Sequence, residues 1–173
     1  MLDECIDQLQ GDIPTHIIIQ GGVGGLASSV CAYAWQKWQQ HRPTFIIVEP
    51  VNANCLQQSA MKGEITVVHG DLETLMAGLA CGEVSLLAWD ILSIGTDYFT
   101  TVTEDTIAPL MKLLAQYDIQ AGESAVAGLA ACILAAKQQS MGINPEAKVL
   151  LIGTEGATDP ELYEQLTGIK LGA

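Results

Sequence analysis

Four glycines surround one valine in the segment Gly21-Gly22-Val23-Gly24-Gly25. The segment follows an apolar run at 15–20 that is typical of a buried strand, and it precedes a helical pattern at 26–41. Glycine accepts positive φ angles and lets backbone N–H groups gather around an anion. The first turn of the following helix adds unpaired N–H donors and partial positive charge. We therefore predict a phosphate site built from backbone groups, which needs no lysine or arginine.

The same glycines also match a different kind of phosphate site. Gly22-x-Gly24-x-x-Ala27 fits the dinucleotide fingerprint, and Glu49 closes the next apolar run, where an acid that binds ribose would lie. Short glycine patterns of this type also occur by chance. The glycine loop alone therefore leaves two interpretations open, a cofactor phosphate and a Rossmann-like dinucleotide-binding domain.

Helix and strand patterns alternate along the chain without a linker or a repeat. Strand patterns occupy 15–20, 44–50, 65–70, 97–105 and 147–156; helix patterns occupy 2–10, 26–41, 52–62, 85–95, a stretch ending near 116, 123–140 and a closing stretch that begins at Pro160. Residues 71–84 are predicted to be mostly loop. Continuous apolar strands between helices predict an α/β fold, a three-layer αβα arrangement around a parallel sheet, with residues 1–173 as one domain. Ligands of such sheets bind beyond the carboxyl ends of the strands.

The composition limits the possible partners and the compartment. Seven basic residues against 20 acidic ones give a formal net charge of -13, which disfavours nucleic acid and anionic membrane surfaces. Five widely spaced cysteines form no Cys-x-x-Cys pair, and no histidine completes a metal-binding pattern. An odd number of cysteines and an opening segment without an apolar signal core predict reduced thiols and a cytoplasmic protein.

Longer stretches of the chain carry a resemblance to a known family. QGGVGGLASSV followed by FIIVEP resembles the pyridoxal-phosphate enzymes of the tryptophan-synthase β fold type, also called fold type II. Three later segments look like diaminopropionate ammonia-lyase: AGLACGEVSLLAWDIL (77–92), AGESAVAGLAA (121–131) and VLLIGTEGATDPELY (149–163). The resemblance covers nearly the whole chain in collinear order. Threonine and serine dehydratases share the glycine loop and the layout but match the later segments less well.

The resemblance implies roles for particular residues. The backbone N–H groups of Gly21, Gly22, Val23, Gly24 and Gly25 would bind the phosphate of pyridoxal 5'-phosphate. Thr154 falls where the class places a hydroxyl against the pyridine nitrogen, Glu123 falls where it keeps an acid near the ring, and Cys81 lies in a segment that resembles a pocket loop. Thr154 could also be an ordinary residue at a strand end, and Glu123 a carboxylate that balances a helix dipole. The acids Glu155, Asp159 and Glu161 indicate the start of a helix, and we predict no metal site.

One required group is missing from the matching segments. The resemblance places the lysine that forms a Schiff base with the cofactor well before the glycine loop, and none of the six lysines here has a matching context. We therefore assign no catalytic residue and expect the C-terminal part of a lyase that is inactive alone. The substrate would be a small amino acid, 2,3-diaminopropionate, converted to pyruvate and ammonia. The chain would need an N-terminal partner segment, or it would form a homo-oligomer to cover exposed apolar surface.

Overall fold

The structure is a computed structural model that describes residues 1–171. The four strands are β1 (His16–Gln20), β2 (Thr44–Pro50), β3 (Tyr98–Val102) and β4 (Val149–Leu151). The seven helices are α1 (Leu2–Gln8), α2 (Gly25–Trp38), α3 (Cys55–Lys62), α4 (Leu86–Gly95), α5 (Ile107–Ala115), α6 (Ala127–Gln138) and α7 (Pro160–Thr167). Short 3-10 turns lie at Gln39–His41, Ala77–Leu79 and Glu104–Thr106. Within 1–171, every helix is too short or too polar to span a lipid bilayer.

The four strands form one parallel sheet in the order β3-β2-β1-β4. All five residues of β1 are buried, as are six of the seven residues of β2, so these central strands are covered on both faces. Continuous β-branched and apolar runs are what such strands require. The predicted α/β fold with a parallel sheet is confirmed.

Alternate residues of β1 face opposite layers of helices. Ile17 and Ile19 belong to a core that also contains residues of α2, α3 and α4. Ile18, between them, belongs to a second core with residues of α5, α6 and α7. Side chains alternate across a strand, so the two clusters lie on the two faces of the sheet. The helices thus form two layers around the sheet, which is the predicted αβα arrangement.

The strand predicted at 65–70 does not form, and that prediction is wrong. The segment is irregular, and its backbone bonds to other parts of the chain instead of a strand: the Val68 N–H donates to the Gly82 carbonyl at 2.8 Å, and the Thr66 N–H donates to the Ser59 hydroxyl at 2.9 Å. β3 pairs with β2 from Ile46 to Pro50, so the sheet edge beside β2 is already filled. A β-branched sequence forms a strand only where it pairs with a neighbouring strand, and 65–70 is not among the four strands that pair in the sheet.

Two predicted elements begin or end elsewhere. The last strand, predicted at 147–156, spans only Val149–Leu151, because β4 is an edge strand that pairs with three residues of β1 before the chain turns away. The helix predicted at 123–140 begins at Ala127. Residues 123–126 form a turn instead. The irregular backbone at 123–126 and after Leu151 therefore lies beyond the carboxyl ends of the strands.

Candidate anion-binding cavity

A cavity of about 320 Å³ lies beyond the carboxyl end of β1. Its walls come from four segments: the end of β1 with the glycine loop, the 3-10 turn at Ala77–Leu79 with the residues just after it, the turn before α6, and the chain after β4. The lining residues are Gln20, Gly21, Gly22, Val23, Gly25, Leu26, Gly78, Leu79, Cys81, Ser124, Ala125, Thr154 and Glu155. The cavity therefore lies where ligands of parallel sheets bind.

Glycine is required at two positions of the loop. Gly22 and Gly24 have φ angles of 58° and 95°, in the left-handed region that side chains disfavour. A Cβ on Gly24 would lie 2.8 Å from the Cβ of Ala88 and 3.0 Å from Cδ1 of Leu92. Gly24 therefore packs against α4 and is not part of the cavity wall, whereas the other four residues of the predicted loop line the cavity.

The start of α2 supplies hydrogen-bond donors to the cavity. The hydrogen bond that closes the first turn runs from the Ser28 N–H to the Gly24 carbonyl, at 2.8 Å. The N–H groups of Gly25, Leu26 and Ala27 therefore have no acceptor within the helix. Gly25 and Leu26 line the cavity, and a Cβ on Gly25 would meet no atom within 4 Å. No lysine, arginine or histidine is among the lining residues, so the unpaired N–H groups and the helix dipole are the positive features of this wall.

Glu49 does not lie where a ribose-binding acid would be needed. Its side chain is fully buried, and its two oxygens accept hydrogen bonds from the N–H groups of Leu56, at 2.9 Å, and Gln57, at 2.8 Å. Glu49 thus caps the start of α3 from outside that helix. Burial raises the pKa of the Glu49 carboxyl to about 7, against the effect of the two N–H groups. The dinucleotide interpretation therefore loses the acid on which it depended.

The resemblance places two polar residues, Thr154 and Glu123, near the pyridine ring of the cofactor, and only Thr154 lines the cavity. Thr154 lines the cavity, three residues beyond the end of β4. Glu123 is buried but is not among the lining residues, and it precedes α6 instead of belonging to it. The neighbouring Ser124 takes its place in the wall.

Glu155 is a cavity residue that the sequence assigned to the start of a helix. Its Oε2 accepts a hydrogen bond from the Ser124 N–H at 2.8 Å, and its backbone carbonyl accepts one from the Gly122 N–H at 3.0 Å. The Ser124 hydroxyl oxygen accepts a hydrogen bond from the Gly78 N–H at 3.2 Å. Three segments are thus joined at one point of the wall. The available sequence signal was the position of Glu155, directly after Thr154 on the ligand side of the sheet.

Gln20 is a second lining residue that the sequence did not single out. Its side chain is only 7% exposed, and its Nε2 donates to the Ala125 carbonyl at 2.8 Å. The buried Oε1 has no hydrogen-bond partner among the described residues. A buried acceptor without a partner is costly, so this end of β1 suits a ligand or a neighbouring group that carries a donor.

Two cysteines lie on either side of the glycine loop. Cys81 lines the cavity, as its resemblance to a pocket loop implied, and burial raises the pKa of its thiol although the Val23 N–H acts in the opposite direction. Cys55 is fully buried, and its thiol contacts the Gly22 carbonyl at 3.7 Å. Burial raises the pKa of the Cys55 thiol to about 12. Burial thus makes both thiols weaker acids than an exposed cysteine.

The family assignment rests on most of the chain. Residues 1–155 match the family described as "Pyridoxal-phosphate dependent enzyme". The chain belongs to this family. The cofactor predicted from the glycine loop and the later segments, pyridoxal phosphate, is thereby confirmed as the cofactor of the family.

Individual relatives of this pyridoxal-phosphate family agree with the resemblance. Diaminopropionate ammonia-lyase of Escherichia coli strain K12 is 37% identical over 182 residues, covering 96% of this chain and 45% of the relative. The crystal structure of holo diaminopropionate ammonia lyase from Escherichia coli aligns with a TM-score of 0.84 at 36% identity, over 95% of this chain and 44% of that one. The chain thus spans less than half the length of these relatives.

A more distant structure shows the fold alone. The processed form of threonine deaminase isoform 2 from Solanum lycopersicum aligns with a TM-score of 0.80 at 22% identity, over 96% of this chain and 46% of that one. The same fold is therefore shared with a protein of a different name. The layout of helices and strands cannot by itself choose among substrates.

The lysines of this pyridoxal-phosphate family member all lie outside the cavity wall. Lys37, Lys62, Lys112 and Lys137 belong to helices, Lys148 pairs with Asp12 at 2.8 Å, and Lys170 lies 3.8 Å from Glu164. None of the six lines the cavity. Within residues 1–171, no lysine amine therefore faces the cavity beside the glycine loop.

Proposed function

We propose that the cavity binds the phosphate of pyridoxal 5'-phosphate. The observation that carries this proposal is the set of unpaired N–H groups at the start of α2, at Gly25 and Leu26, which line a cavity without any cationic side chain. Backbone donors at a helix N-terminus are a well-suited receptor for a phosphate dianion. The positive φ of Gly22 keeps this part of the loop free of side-chain atoms. Gly21 to Gly25 form the phosphate subsite, with Gly24 contributing through its packing against α4.

Two polar side chains would face the rest of the cofactor. In this proposal the Thr154 hydroxyl contacts the pyridine nitrogen, because Thr154 is the hydroxyl that lines the cavity on the side of β4. A neutral hydroxyl leaves that nitrogen without a proton, which favours β-elimination. We assign no contact to Glu123, because its side chain is not part of the wall. The free Oε1 of Gln20 would accept a hydrogen bond from the ligand or from a group that moves with it.

The reaction we propose is the α,β-elimination of 2,3-diaminopropionate, which expels the β-amino group as one ammonia; hydrolysis with one water then gives pyruvate and the second ammonia. The support is the identity of 36–37% to diaminopropionate ammonia-lyases over 94–96% of this chain. Bound pyridoxal phosphate supplies the electron sink that lets an amino acid lose its α-proton and its β-substituent. The residues described here bind the phosphate, orient the ring and close one side of the cavity.

We further propose that this chain works with polypeptide that carries the Schiff-base lysine and does not turn over substrate alone. The support is that none of its lysines lines the cavity. Leu86, Leu87 and Ile94 on α4 are 69–80% exposed, and exposed apolar side chains of this kind can be covered by a partner. Five free cysteines support a reducing compartment such as the cytoplasm. Light scattering at several concentrations would show whether the chain self-associates.

The phosphate subsite can be tested with one substitution and a matched control. Gly25→Val would put a side chain into the open space before α2, and we expect the affinity for pyridoxal phosphate to fall at least about tenfold through lost N–H contacts. Gln36→Val changes an exposed position near the end of α2, away from the loop, and should leave the affinity unchanged. Binding is followed by calorimetry, with inorganic phosphate as a competitor and pyridoxal as the ligand that lacks the phosphate. Equal affinity for pyridoxal and pyridoxal phosphate would contradict the proposal.

The dinucleotide interpretation remains a measurable alternative. NAD should give no protection against thermal unfolding, because the acid it would need, Glu49, is buried and bonded to α3. Protection by NAD and not by pyridoxal phosphate would favour a dinucleotide site. A serine or threonine dehydratase activity of the complete enzyme would instead retain the cofactor and change only the amino acid.

A further inference from the structure

Among the residues that line the cavity proposed for the cofactor, Glu155 is the one that carries a carboxylate. The remaining lining residues are glycines, apolar residues, one cysteine, one glutamine and two residues with hydroxyl groups. A carboxylate adds nothing to the binding of a phosphate dianion, since like charges repel. A ligand group that binds this carboxylate would therefore carry the opposite charge.

The position of the Glu155 carboxylate is fixed by its neighbours. Oε2 accepts the Ser124 N–H at 2.8 Å, and the backbone of Glu155 accepts the Gly122 N–H at 3.0 Å. A Cβ on Gly122 would lie 2.8 Å from Oε2 of Glu155, so glycine at 122 is what allows the carboxylate to lie there. The carboxylate is therefore held in one place before any ligand arrives.

The second carboxylate oxygen remains free. Oε1 of Glu155 accepts no hydrogen bond from the part of the chain that the structure describes, and it lies 3.7 Å from the place of a Cβ on Gly78. A carboxylate with one oxygen anchored and the other open can receive one ammonium N–H in a charged hydrogen bond. The absence of a side chain at Gly78 keeps the approach to Oε1 unobstructed.

We propose that Oε1 of Glu155 binds the β-ammonium group of a diamino acid and so selects it over amino acids with a β-hydroxyl. This inference rests on the proposed function, because it places the amino acid in the same cavity as the cofactor. Serine and threonine would offer a neutral hydroxyl to the carboxylate and gain less from it. Glu155 is thus a specificity-determining residue, distinct from the groups that hold the phosphate.

The test uses ligands that do not need a lysine. Reduced conjugates join phosphopyridoxyl to the α-nitrogen of 2,3-diaminopropionate, serine or alanine, and their dissociation constants are measured by calorimetry at a pH below the pKa of the β-ammonium group. We expect this chain to bind the diaminopropionate conjugate about tenfold more tightly than the serine or alanine conjugate, the effect of a charged hydrogen bond. The preference should fall as salt is raised.

Two variants assign the preference to this carboxylate. Glu155→Gln keeps an acceptor oxygen for the Ser124 N–H, so the fold should persist, and we expect the preference to drop to about twofold or less. Affinity for the alanine conjugate should change little. Glu161→Gln removes one negative charge from an exposed site on α7 and should leave the preference intact.

The outcomes separate this inference from the proposed function. If the wild-type chain binds all three conjugates with equal affinity, the inference is wrong and the cofactor site stands; this comparison needs no variant. An undiminished preference in a folded Glu155→Gln protein would also overturn it. If neither pyridoxal phosphate nor any conjugate binds, both the proposed function and the inference fail.

Discussion

Oε2 of Glu49 lies 2.8 Å from the backbone nitrogen of Gln57, so a buried acid at the end of β2 caps the helix that comes after it. The other oxygen accepts the Leu56 N–H in the same way. The carboxylate thus satisfies two of the N–H groups that a helix start leaves unpaired. It also connects β2 to α3 directly beneath the glycine loop, since a Cβ on Gly21 would lie 2.9 Å from Cγ of Glu49.

Glu49 should make stability depend on pH. Its pKa in the folded protein, about 7, is above its ordinary value of 4.5, so folding favours the protonated form. The stabilisation of the folded protein that comes from protonated Glu49 is fully present below about pH 4.5, and it is lost as the pH rises from there to about 7. The Glu49→Gln variant has no ionisable group at this position. The difference in the free energy of unfolding between this variant and wild type should therefore shift in favour of the variant between pH 5 and 8, by up to about 3 kcal/mol. Urea unfolding across this range is the measurement.

Exposed Glu83 provides the control for this pH series. Glu83→Gln replaces a carboxylate of the same type at an exposed position, so its unfolding series shows what the substitution does away from the buried cap. If the difference for Glu49→Gln fell with pH, the two N–H groups would outweigh the desolvation of the carboxylate.

Gly24→Ala should destabilise the protein strongly. The new Cβ would combine a φ angle of 95° with a contact of 2.8 Å to the Cβ of Ala88. We expect the free energy of unfolding to fall by about 2–4 kcal/mol, measured by urea unfolding. Gly25→Ala, in the same loop, meets no atom within 4 Å and should change stability by less than about 1 kcal/mol. Similar losses in both variants would mean that the contact with α4 does not matter.

Cys81 should be protected from alkylation by a phosphate ligand. Cys81 lines the cavity, whereas Cys132 lies on α6 outside it, and burial raises the pKa of both thiols. We expect pyridoxal phosphate to slow the reaction of Cys81 with iodoacetamide and to leave that of Cys132 unchanged. Peptide mass spectrometry over time gives both rates in one sample. Equal effects on the two cysteines would show that the ligand acts elsewhere.

Borohydride reduction should reveal no preferred lysine in this chain. Because all six lysines lie outside the cavity wall, any Schiff base with pyridoxal phosphate should be distributed over exposed amines. Peptide mapping should give the same distribution with pyridoxal, which has no phosphate to direct it. A single lysine modified only by pyridoxal phosphate would show that the chain contains its own Schiff-base residue.

The central elements were predictable because their sequences have one physical solution. The run His16–Gln20 has three consecutive isoleucines at its centre and is followed by glycines, so a buried strand followed by a turn and a helix was the expected result. Pro160 in the first turn of α7 was likewise predicted, and Asp159 completes that start by accepting hydrogen bonds from the N–H groups of Glu161 and Leu162.

The edges of the sheet and half of the cavity wall were not predictable from local patterns. The segment 65–70 has a strand sequence, but the place beside β2 is taken by Tyr98–Val102, and 65–70 pairs with no strand of the sheet. The helix α6 begins at Ala127, later than predicted. The backbone before it is held by Glu155, which accepts hydrogen bonds from the N–H groups of Gly122 and Ser124, and Ser124 and Glu155 are 31 residues apart. Pairings of this kind depend on the assembled sheet, so no pattern within one segment reports them.

The close approach of α2 and α4 bears on the thermodynamics of binding. Gly24 packs against Ala88, and at the other end of the pair Gly95 packs against the sulfur of Cys31. Within the loop, Gly21 donates to the Val48 carbonyl at 2.9 Å and Gly24 donates to the Gly21 carbonyl at 3.1 Å. An anion would thus meet a receptor that is already ordered, and little conformational entropy of the protein would be lost on binding.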